Sequence, residues 1–370
     1  MTPRTTDGTF TFTRRYWRQV VVLSSLTLLL GAFVFAAVAQ LAPYGGPAGV
    51  GLGSDFAMFY TAARVSHAGE NPYDYRLLDR AEVATFTRQG VRPSHKIGWV
   101  RVGNPPLLFV LLEPLTGLPF RVVGWLWIAL MELLSLVGLI CCLQYLGWSR
   151  QWVAVLPFLG MPIVLIGVLN GNVVPVVFAG TTAGLALMRR NPMLAGALSS
   201  VAWLKPGVAL PFILLIFLFH APDRWRFGVG FVASFLVLGV ATLLATGPHS
   251  VATWFGALSA YSGDIRKQPE MASATGLYFR IAGPGLRQIL QVAGLAVALA
   301  VTGIVWLRLR TRGTSSVLSL GWLWILSFLC VPYAHTNDAI LLAPPRLALP
   351  IASITVETGC SKVMSTASAH

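Results

Sequence analysis

The chain has 370 residues, of which 55% are hydrophobic and 11% are charged, and its mean hydropathy is +0.70. Soluble domains carry roughly 25% charged residues, so this composition excludes an ordinary soluble fold and indicates an all-α polytopic membrane protein. The formal net charge of +14 does not indicate a nucleic-acid partner, because the basic residues lie in short loops between apolar runs, as membrane orientation requires.

Apolar runs of membrane length recur along the chain. The first run follows a basic segment, residues 1–18, and is too long for a signal peptide, so it predicts an uncleaved anchor in the bilayer. We predict a cytoplasmic segment at 1–18, one integral membrane domain over 19–353 with about nine or ten spans, and a polar tail at 354–370. The predicted spans are 19–42, 122–147, 151–169, 172–188, 192–204, 206–220, 226–246, 285–308 and 316–332, with a weaker candidate at 338–353.

The arginines between these runs predict the orientation of the chain. Short loops rich in Lys and Arg face the cytoplasm, and all the basic groups fall on that side if the segment 105–119 does not cross. This segment is short for a span and contains Glu113-Pro114, which is typical of a re-entrant or interfacial segment. We therefore predict a multi-pass protein of the plasma membrane, in which the polar segments that face the extracytoplasmic side are 43–104, Asn170–Asn172, Lys205, the loop 247–284 and 335–338.

The first outer loop, residues 43–104, contains two predicted helices. Ser54 stands at an N-cap position before a helix over 55–68, with Asp55 in its first turn. A second helix is predicted over 75–88. Apolar residues recur at helical spacing in both, so we expect amphipathic helices that lie in the membrane interface. These residues are Phe56, Phe59, Tyr60, Ala63 and His67 in the first helix, and Leu77, Leu78, Ala81 and Ala84 in the second.

Motifs of soluble-donor and metal chemistry are missing from the sequence. There is no Walker A motif, no GxGxxG after a strand, no HExxH and no Asp-x-Asp pair, and the four cysteines lack metal-ligand spacing. We therefore predict neither a metal nor a cofactor. The polar residues of the outer face are left as the candidates for chemistry.

Each of these candidates also has a purely structural explanation. Asp55 is favourable in the first turn of a helix, and Lys205 before Pro206 suits a lysine that extends to the membrane surface. Glu132 lies within a predicted span, where an interhelical hydrogen bond is its default role. Helix ends explain Asn170 and Asn172, and an ordinary loop explains His335 and Asp338.

Short motifs follow one another in a characteristic order. They are Asp55-Phe56 after the first span, NPYD at 71–74, PPL at 105–107, Asn170-Gly171, LKP at 204–206, and PYAH at 332–335 with Asp338 downstream. This order resembles glycosyltransferase family 87, a family of polytopic GT-C enzymes that use polyprenyl-phosphate sugars. The sequence departs from the family pattern at Asn104, where Tyr is usual, and at Asn172 and Gly207, where Gln is common.

The resemblance implies a fold, a reaction and roles for residues. It implies a GT-C-like helical bundle that transfers mannose from a polyprenyl-phosphate donor to a glycolipid or glycan hydroxyl, with inversion. The leaving phosphate monoester has a second pKa of about 6, so the site must supply a base and positive charge rather than an acid. Asp55 is then the catalytic base and Lys205 the phosphate ligand. The other substrate-binding candidates are Arg64, Asn170, Asn172, His335 and Asp338.

Other functions stay open on the sequence alone. A transporter or flippase of lipid-linked intermediates fits a helix break at Lys205-Pro206, although we find no inverted repeat. A catalytically inactive membrane scaffold fits the last apolar run, which Pro344, Pro345 and Pro350 interrupt. Within the enzyme class, an arabinofuranosyl donor on the same lipid is the nearest variant.

Overall fold

The computed structural model describes residues 54–88, 102–145 and 162–262, together with scattered helical positions between 286 and 307. Within these residues every regular element is a helix and none is a β-strand, which confirms the predicted all-α class for this part of the chain. The number of spans stays a prediction. The predictions that lie outside the described residues concern the spans at 19–42, 316–332 and 338–353 and the segments at 1–18 and 354–370.

The contiguous described segments contain nine α-helices. They are α1 (Ser54–His67), α2 (Tyr75–Arg88), α3 (Pro106–Leu112), α4 (Phe120–Tyr145), α5 (Pro162–Leu169), α6 (Val174–Leu187), α7 (Pro192–Ser199), α8 (Pro206–Leu215) and α9 (Arg224–Ser262). Single turns of different pitch follow three of these helices: 3-10 turns at Glu113–Gly117 and Ser200–Leu204, and a π turn at Ile216–His220.

Two helices of the described part are long and apolar enough to cross a membrane. One is α4, with 26 residues, and the other is the stretch Arg224–Leu258 of α9. Both expose large apolar side chains: Leu133 on α4 is 56% exposed and Leu244 on α9 is 80% exposed. Such continuous apolar surface is unfavourable in water and favourable in lipid. Composition and structure therefore agree on a membrane protein.

Two helix breaks divide the bundle where proline and glycine stand in the sequence. At Lys205-Pro206 the sequence allows either two short helices or one kinked helix. The structure has a break, because Lys205 has φ −147° and ψ 65° between the 3-10 turn and α8. A second break interrupts α9 at Gly247, whose φ of +77° is accessible to glycine, and Pro248 follows without an N–H. The predicted span at 226–246 ends directly before this second break, but the loop predicted from residue 247 is wrong at its start, because the chain is helical again up to Ser262.

Glycines bring the central helices α6, α7 and α9 close together. A Cβ at Gly196 of α7 would overlap the carbonyl of Phe227 on α9, and a Cβ at Gly230 of α9 would overlap the carbonyl of Met193. Small residues of this kind let helix backbones approach in membrane proteins. The same holds between α6 and the residues of α7 and its following turn, and we call the set Gly180, Gly184, Gly196 and Gly230 the glycine seam.

Helix α1 is enclosed by other helices. Six helices form a closed ring of pairwise contacts, in the order α4, α6, α7, α9, α3, α1 and back to α4. Phe56, Thr61 and Ala62 of α1 are all fully buried although they point in different directions around the helix. The prediction of a one-sided, amphipathic α1 is therefore wrong, and its predicted stripe residue His67 is exposed.

Helix α2 has the bounds that the sequence predicts, residues 75–88, but a different buried face. Leu78 is buried as predicted, together with Thr85 and Phe86. Ala84, which the prediction placed on the apolar side, is exposed. The correction is physical: Phe86 has more apolar area to bury than alanine, and its ring packs edge-on against Phe120 of α4.

Candidate active site

Asp55, Asn172 and Lys205 come from distant parts of the sequence and meet at one place. Asn172 Nδ2 donates to Asp55 Oδ2 at 2.6 Å, and Lys205 Nζ donates to Asn172 Oδ1 at 3.4 Å. Asn172 is only 6% exposed, whereas Asp55 and Lys205 are half-buried. A buried amide therefore joins a carboxylate to an ammonium group. We call Asp55, Asn170, Asn172 and Lys205 the polar junction.

The turn between α5 and α6 holds the N-terminus of α1. The N–H groups of Asp55 and Phe56 donate to the carbonyl of Asn170 at 2.9 and 3.3 Å, so Asn170 contributes its main chain. Gly171 has φ +71°, and a Cβ there would lie 2.6 Å from Phe56 Cβ. Any side chain at position 171 would push α1 away, and Asp55 with it.

Buried aromatic rings of α1 and α4 pack against this turn. Trp127 Nε1 donates to the carbonyl of Gly171 at 2.8 Å, and the Trp127 ring stacks on Phe56 with centroids 5.1 Å apart. Phe56 also stacks on Phe120, with centroids 5.8 Å apart. Because these rings are buried, they exclude water from one side of the polar junction and strengthen its hydrogen bonds.

Three helix N-termini meet at the polar junction. Asp55 lies in the first turn of α1, α6 begins at Val174, and Lys205 is the N-cap residue of α8. Asn172 Oδ1 accepts from the N–H of Val174 at 3.0 Å, so some of the N-terminal N–H groups already have partners. The helix dipoles still give positive potential at this point, which together with Lys205 favours a bound anion such as phosphate.

Four of the predicted site residues lie together in the polar junction, whereas Arg64 does not. Arg64 follows Asp55 on α1 at a distance of about 13 Å along the helix axis, so the helix carries it away from the junction. His335 and Asp338 lie outside the described residues. In the part of the chain that the structure describes, no group of three or more His, Cys, Asp or Glu side chains is placed to hold a metal ion.

Sequence reasoning did not single out Trp127 or Gly171 as part of the site. A signal for each is present: a tryptophan within an apolar span needs an acceptor for its indole N–H, and a glycine between two asparagines suits a left-handed turn. Neither signal identifies the residue that Trp127 or Gly171 contacts. Only the packing of α4 against the α5–α6 turn shows that the two residues contact each other.

The NPYD motif, residues 71–74, builds a turn and a helix cap. Tyr73 N donates to Asn71 Oδ1 at 3.0 Å, and Asp74 Oδ1 accepts from Arg76 N at 2.9 Å at the start of α2. The Tyr73 hydroxyl donates to the carbonyl of Asn104 at 2.8 Å, and burial raises the pKa of this phenol, so it stays a donor. The motif thus docks α2 against the segment before α3.

Glu132 lies within α4, where we predicted an interhelical hydrogen bond. Its Oε2 atom is buried and has no hydrogen-bond partner in the part of the chain described by the structure. The predicted interhelical hydrogen bond is therefore not made by this oxygen. An unpaired carboxylate oxygen within an apolar span is costly, which sets Glu132 apart from the satisfied polar groups of the polar junction.

The fold and the polar junction define a class of protein: a helical membrane protein with one carboxylate and one ammonium group at a site that favours an anion. The model of glycosyltransferase family 87 matches residues 103–332, more than half of the chain, and the chain belongs to this family. The protein is therefore a membrane glycosyltransferase. No curated protein and no solved structure matches the chain.

The family match covers part of the polar junction. Asn170, Asn172 and Lys205 lie within the matched residues, whereas Asp55 precedes them. The family therefore does not by itself assign the carboxylate. Its assignment depends on the hydrogen bond that joins Asp55 to Asn172.

Proposed function

We propose that the protein transfers mannose from a polyprenyl-phosphate donor to a hydroxyl of a glycolipid or glycan on the extracytoplasmic face of the plasma membrane. The observation that carries this proposal is the polar junction, with a carboxylate and an ammonium group on either side of Asn172. Membership of the family supports glycosyl transfer, and the exposed apolar sides of α4 and α9 support a donor that arrives from the bilayer.

Asp55 is the general base of the proposed reaction. The acceptor oxygen attacks the anomeric carbon while its proton passes to the Asp55 carboxylate. The bond from the anomeric carbon to the phosphate oxygen breaks, and its electron pair leaves with the polyprenyl phosphate. Asn172 holds the carboxylate in one orientation through its 2.6 Å hydrogen bond. Direct displacement inverts the anomeric centre, so a β-linked donor gives an α-mannoside.

Lys205 is the phosphate ligand of the proposed reaction. The leaving group is a phosphate monoester with a second pKa of about 6, so it departs without a general acid. What lowers the barrier is positive charge near the oxygens on which negative charge develops. Lys205 supplies that charge at the N-terminus of α8, and the dipoles of α1 and α6 add to it.

The test is a membrane assay with radiolabelled polyprenyl-phosphate mannose that compares the wild-type protein with Asp55→Asn. We expect turnover to fall by about 10²–10⁴-fold, because the isosteric amide accepts no proton at neutral pH. Asp223→Asn is the matched control, since Asp223 also stands at a helix start, where its Oδ1 accepts from Arg226 N at 3.1 Å. This control should retain transfer.

The outcomes of this assay separate the candidate functions. Equal transfer by wild type and Asp55→Asn would remove Asp55 from the mechanism. Transfer from an arabinofuranosyl donor alone would correct the sugar and keep the site. If the wild-type protein transferred neither sugar, a flippase, a transporter or an inactive scaffold would be favoured. The helix break at Lys205-Pro206 supports the flippase or transporter.

A further inference from the structure

The segment Gly103–Asn104, directly before α3, is tied to three other parts of the molecule. Trp254 Nε1 donates to the carbonyl of Gly103 at 3.0 Å, and the Tyr73 hydroxyl donates to the carbonyl of Asn104 at 2.8 Å. The side chain of Asn104 in turn donates from Nδ2 to the carbonyl of Leu204 at 3.1 Å. Two hydrogen bonds thus hold the main chain of this segment, and the third connects it to the residue before Lys205.

The helix break explains why the carbonyl of Leu204 needs a donor from elsewhere. Pro206 has no N–H, and the N–H groups of Val208 and Ala209 donate to the carbonyl of Lys205 at 3.2 and 3.0 Å. These N–H groups at the start of α8 therefore bind the carbonyl of Lys205 rather than that of Leu204. The Asn104 amide takes the place of a helical donor at the point where the chain leaves helical geometry.

Buried aromatic rings keep this contact rigid. The Trp203 ring lies 5.2 Å from the Trp254 ring and packs edge-on against Phe235 at 4.7 Å, measured between centroids. Trp254 is 1% exposed and follows the break at Gly247, so the second part of α9 closes over the Gly103–Asn104 segment. Because packing already holds this segment in place, the Asn104 side chain loses little conformational freedom when its amide binds the Leu204 carbonyl.

We propose that Asn104 is a positioning residue that holds the main chain before Lys205 and thereby keeps the Lys205 ammonium group at the polar junction. This inference rests on the proposed function, in which Lys205 binds the phosphate of the donor. Asn104 does not touch the phosphate in this account. It acts through the Leu204 carbonyl, and without it the Lys205 side chain moves away from Asn172.

The first experiment measures the position of Lys205 without any donor. Purified protein is treated with an amine-acylating reagent, and the modification of Lys205 is followed by mass spectrometry. We expect Lys205 to react several-fold faster in Asn104→Ala, and in the isosteric Asn104→Asp, than in the wild type. Tyr60→Phe is the matched control, because it also removes a side-chain donor to a main-chain carbonyl, that of Leu118 at 2.8 Å, and neither Tyr60 nor Leu118 belongs to the polar junction.

The second experiment measures the Michaelis constant for the donor in the transfer assay. Asn104→Ala should raise the donor KM by about fivefold to tenfold, and the acceptor KM should stay unchanged. In a Lys205→Ala background the same substitution should add nothing, since both changes remove one function. Tyr60→Phe should have the same effect in both backgrounds. Asn104→Gln, which keeps the amide on a longer side chain, should recover part of the loss.

The results distinguish this inference from the proposed function. Unchanged labelling of Lys205 in Asn104→Ala and Asn104→Asp would overturn the positioning role even if transfer of mannose is confirmed. Faster labelling with an unchanged donor KM, or additive effects of Asn104→Ala and Lys205→Ala, would overturn it as well. A wild-type protein that transfers no sugar would instead contradict the proposed function, whatever the labelling shows.

Discussion

The glycine seam and the polar junction both join helices, but through different groups. In the glycine seam, helix sides meet, and Gly196 and Gly230 bring main chains into direct contact between α7 and α9. In the polar junction, helix ends meet, and the connections are hydrogen bonds to the Asn172 side chain and to the Asn170 carbonyl. In the glycine seam, which is apolar, the main-chain polar groups are hydrogen-bonded within each helix. The polar junction instead contains charged groups that are only half-buried.

Because of this difference, we expect the glycine seam to determine stability and the polar junction to determine catalysis. Along the side of a helix every main-chain N–H and C=O is bonded within the helix, so nothing is left for a substrate. At helix ends and breaks the main chain presents unpaired groups and a dipole, and polar side chains gather there to satisfy them. Substitutions in the glycine seam should therefore reduce the amount of folded protein, and substitutions in the polar junction should reduce the turnover of folded protein.

The largest effect is expected in the glycine seam, from Gly230→Val. A side chain at position 230 overlaps the main chain of Met193, which cannot move aside as a flexible side chain would. We expect almost no monodisperse protein in size-exclusion chromatography after detergent extraction. Gly256→Val is the matched control on the same helix, because a Cβ there meets nothing within 4 Å. Normal yield of Gly230→Val would contradict the close packing of α7 and α9.

A smaller effect is expected in the polar junction, from Lys205→Ala. Loss of a charge-assisted contact to phosphate should lower transfer at subsaturating donor by about 10–100-fold, while the yield of folded protein stays normal. Lys205→Arg keeps the charge and should recover part of the activity. If the donor KM and the rate were unchanged, Lys205 would be a surface lysine at a helix break, and the contrast between the two regions would be lost.

Gly171→Ala tests the border between the two regions, because it changes both packing and the position of Asp55. A left-handed alanine costs about 1–2 kcal/mol, and the contact with Phe56 adds to this. We expect a lower melting temperature and less transfer per folded molecule. Gly69→Ala is the matched control: Gly69 has φ +75° but an added Cβ meets nothing within 4 Å, so it shows the strain alone. Equal behaviour of the two variants would mean that the Phe56 contact does not matter.

The smallest effect concerns Glu82 on α2, outside both regions. Burial, with a contribution from the charge of Asp79, raises the pKa of Glu82 to about 7 from 4.5. The folded state then binds the proton more tightly than the unfolded state, so stability is highest below pH 4.5 and falls as the pH rises to about 7. The melting temperature of the wild type should fall over this range by a few degrees more than that of Glu82→Gln. Parallel curves would contradict the shift.

Several elements could be predicted from the sequence because their causes are local. Composition determines the membrane class, helical periodicity determines α2 over Tyr75–Arg88, and Pro206 determines the break after Lys205. The burial of α1 on more than one side could not be predicted, because periodicity shows where Phe56 and Tyr60 lie but not which helices cover the other sides. That depends on the closed ring of contacts that returns from α3 through α1 to α4.

The site itself is decided by tertiary structure. The sequence nominated Asp55, Asn172 and Lys205 one by one, each with an equally good structural explanation. Their hydrogen bonds join residues 117 and 33 positions apart, and the bond from Asn104 to Leu204 joins residues 100 apart. No local pattern determines contacts over such separations. They exist because close packing through glycines sets the helix positions, and so decides which helix ends meet.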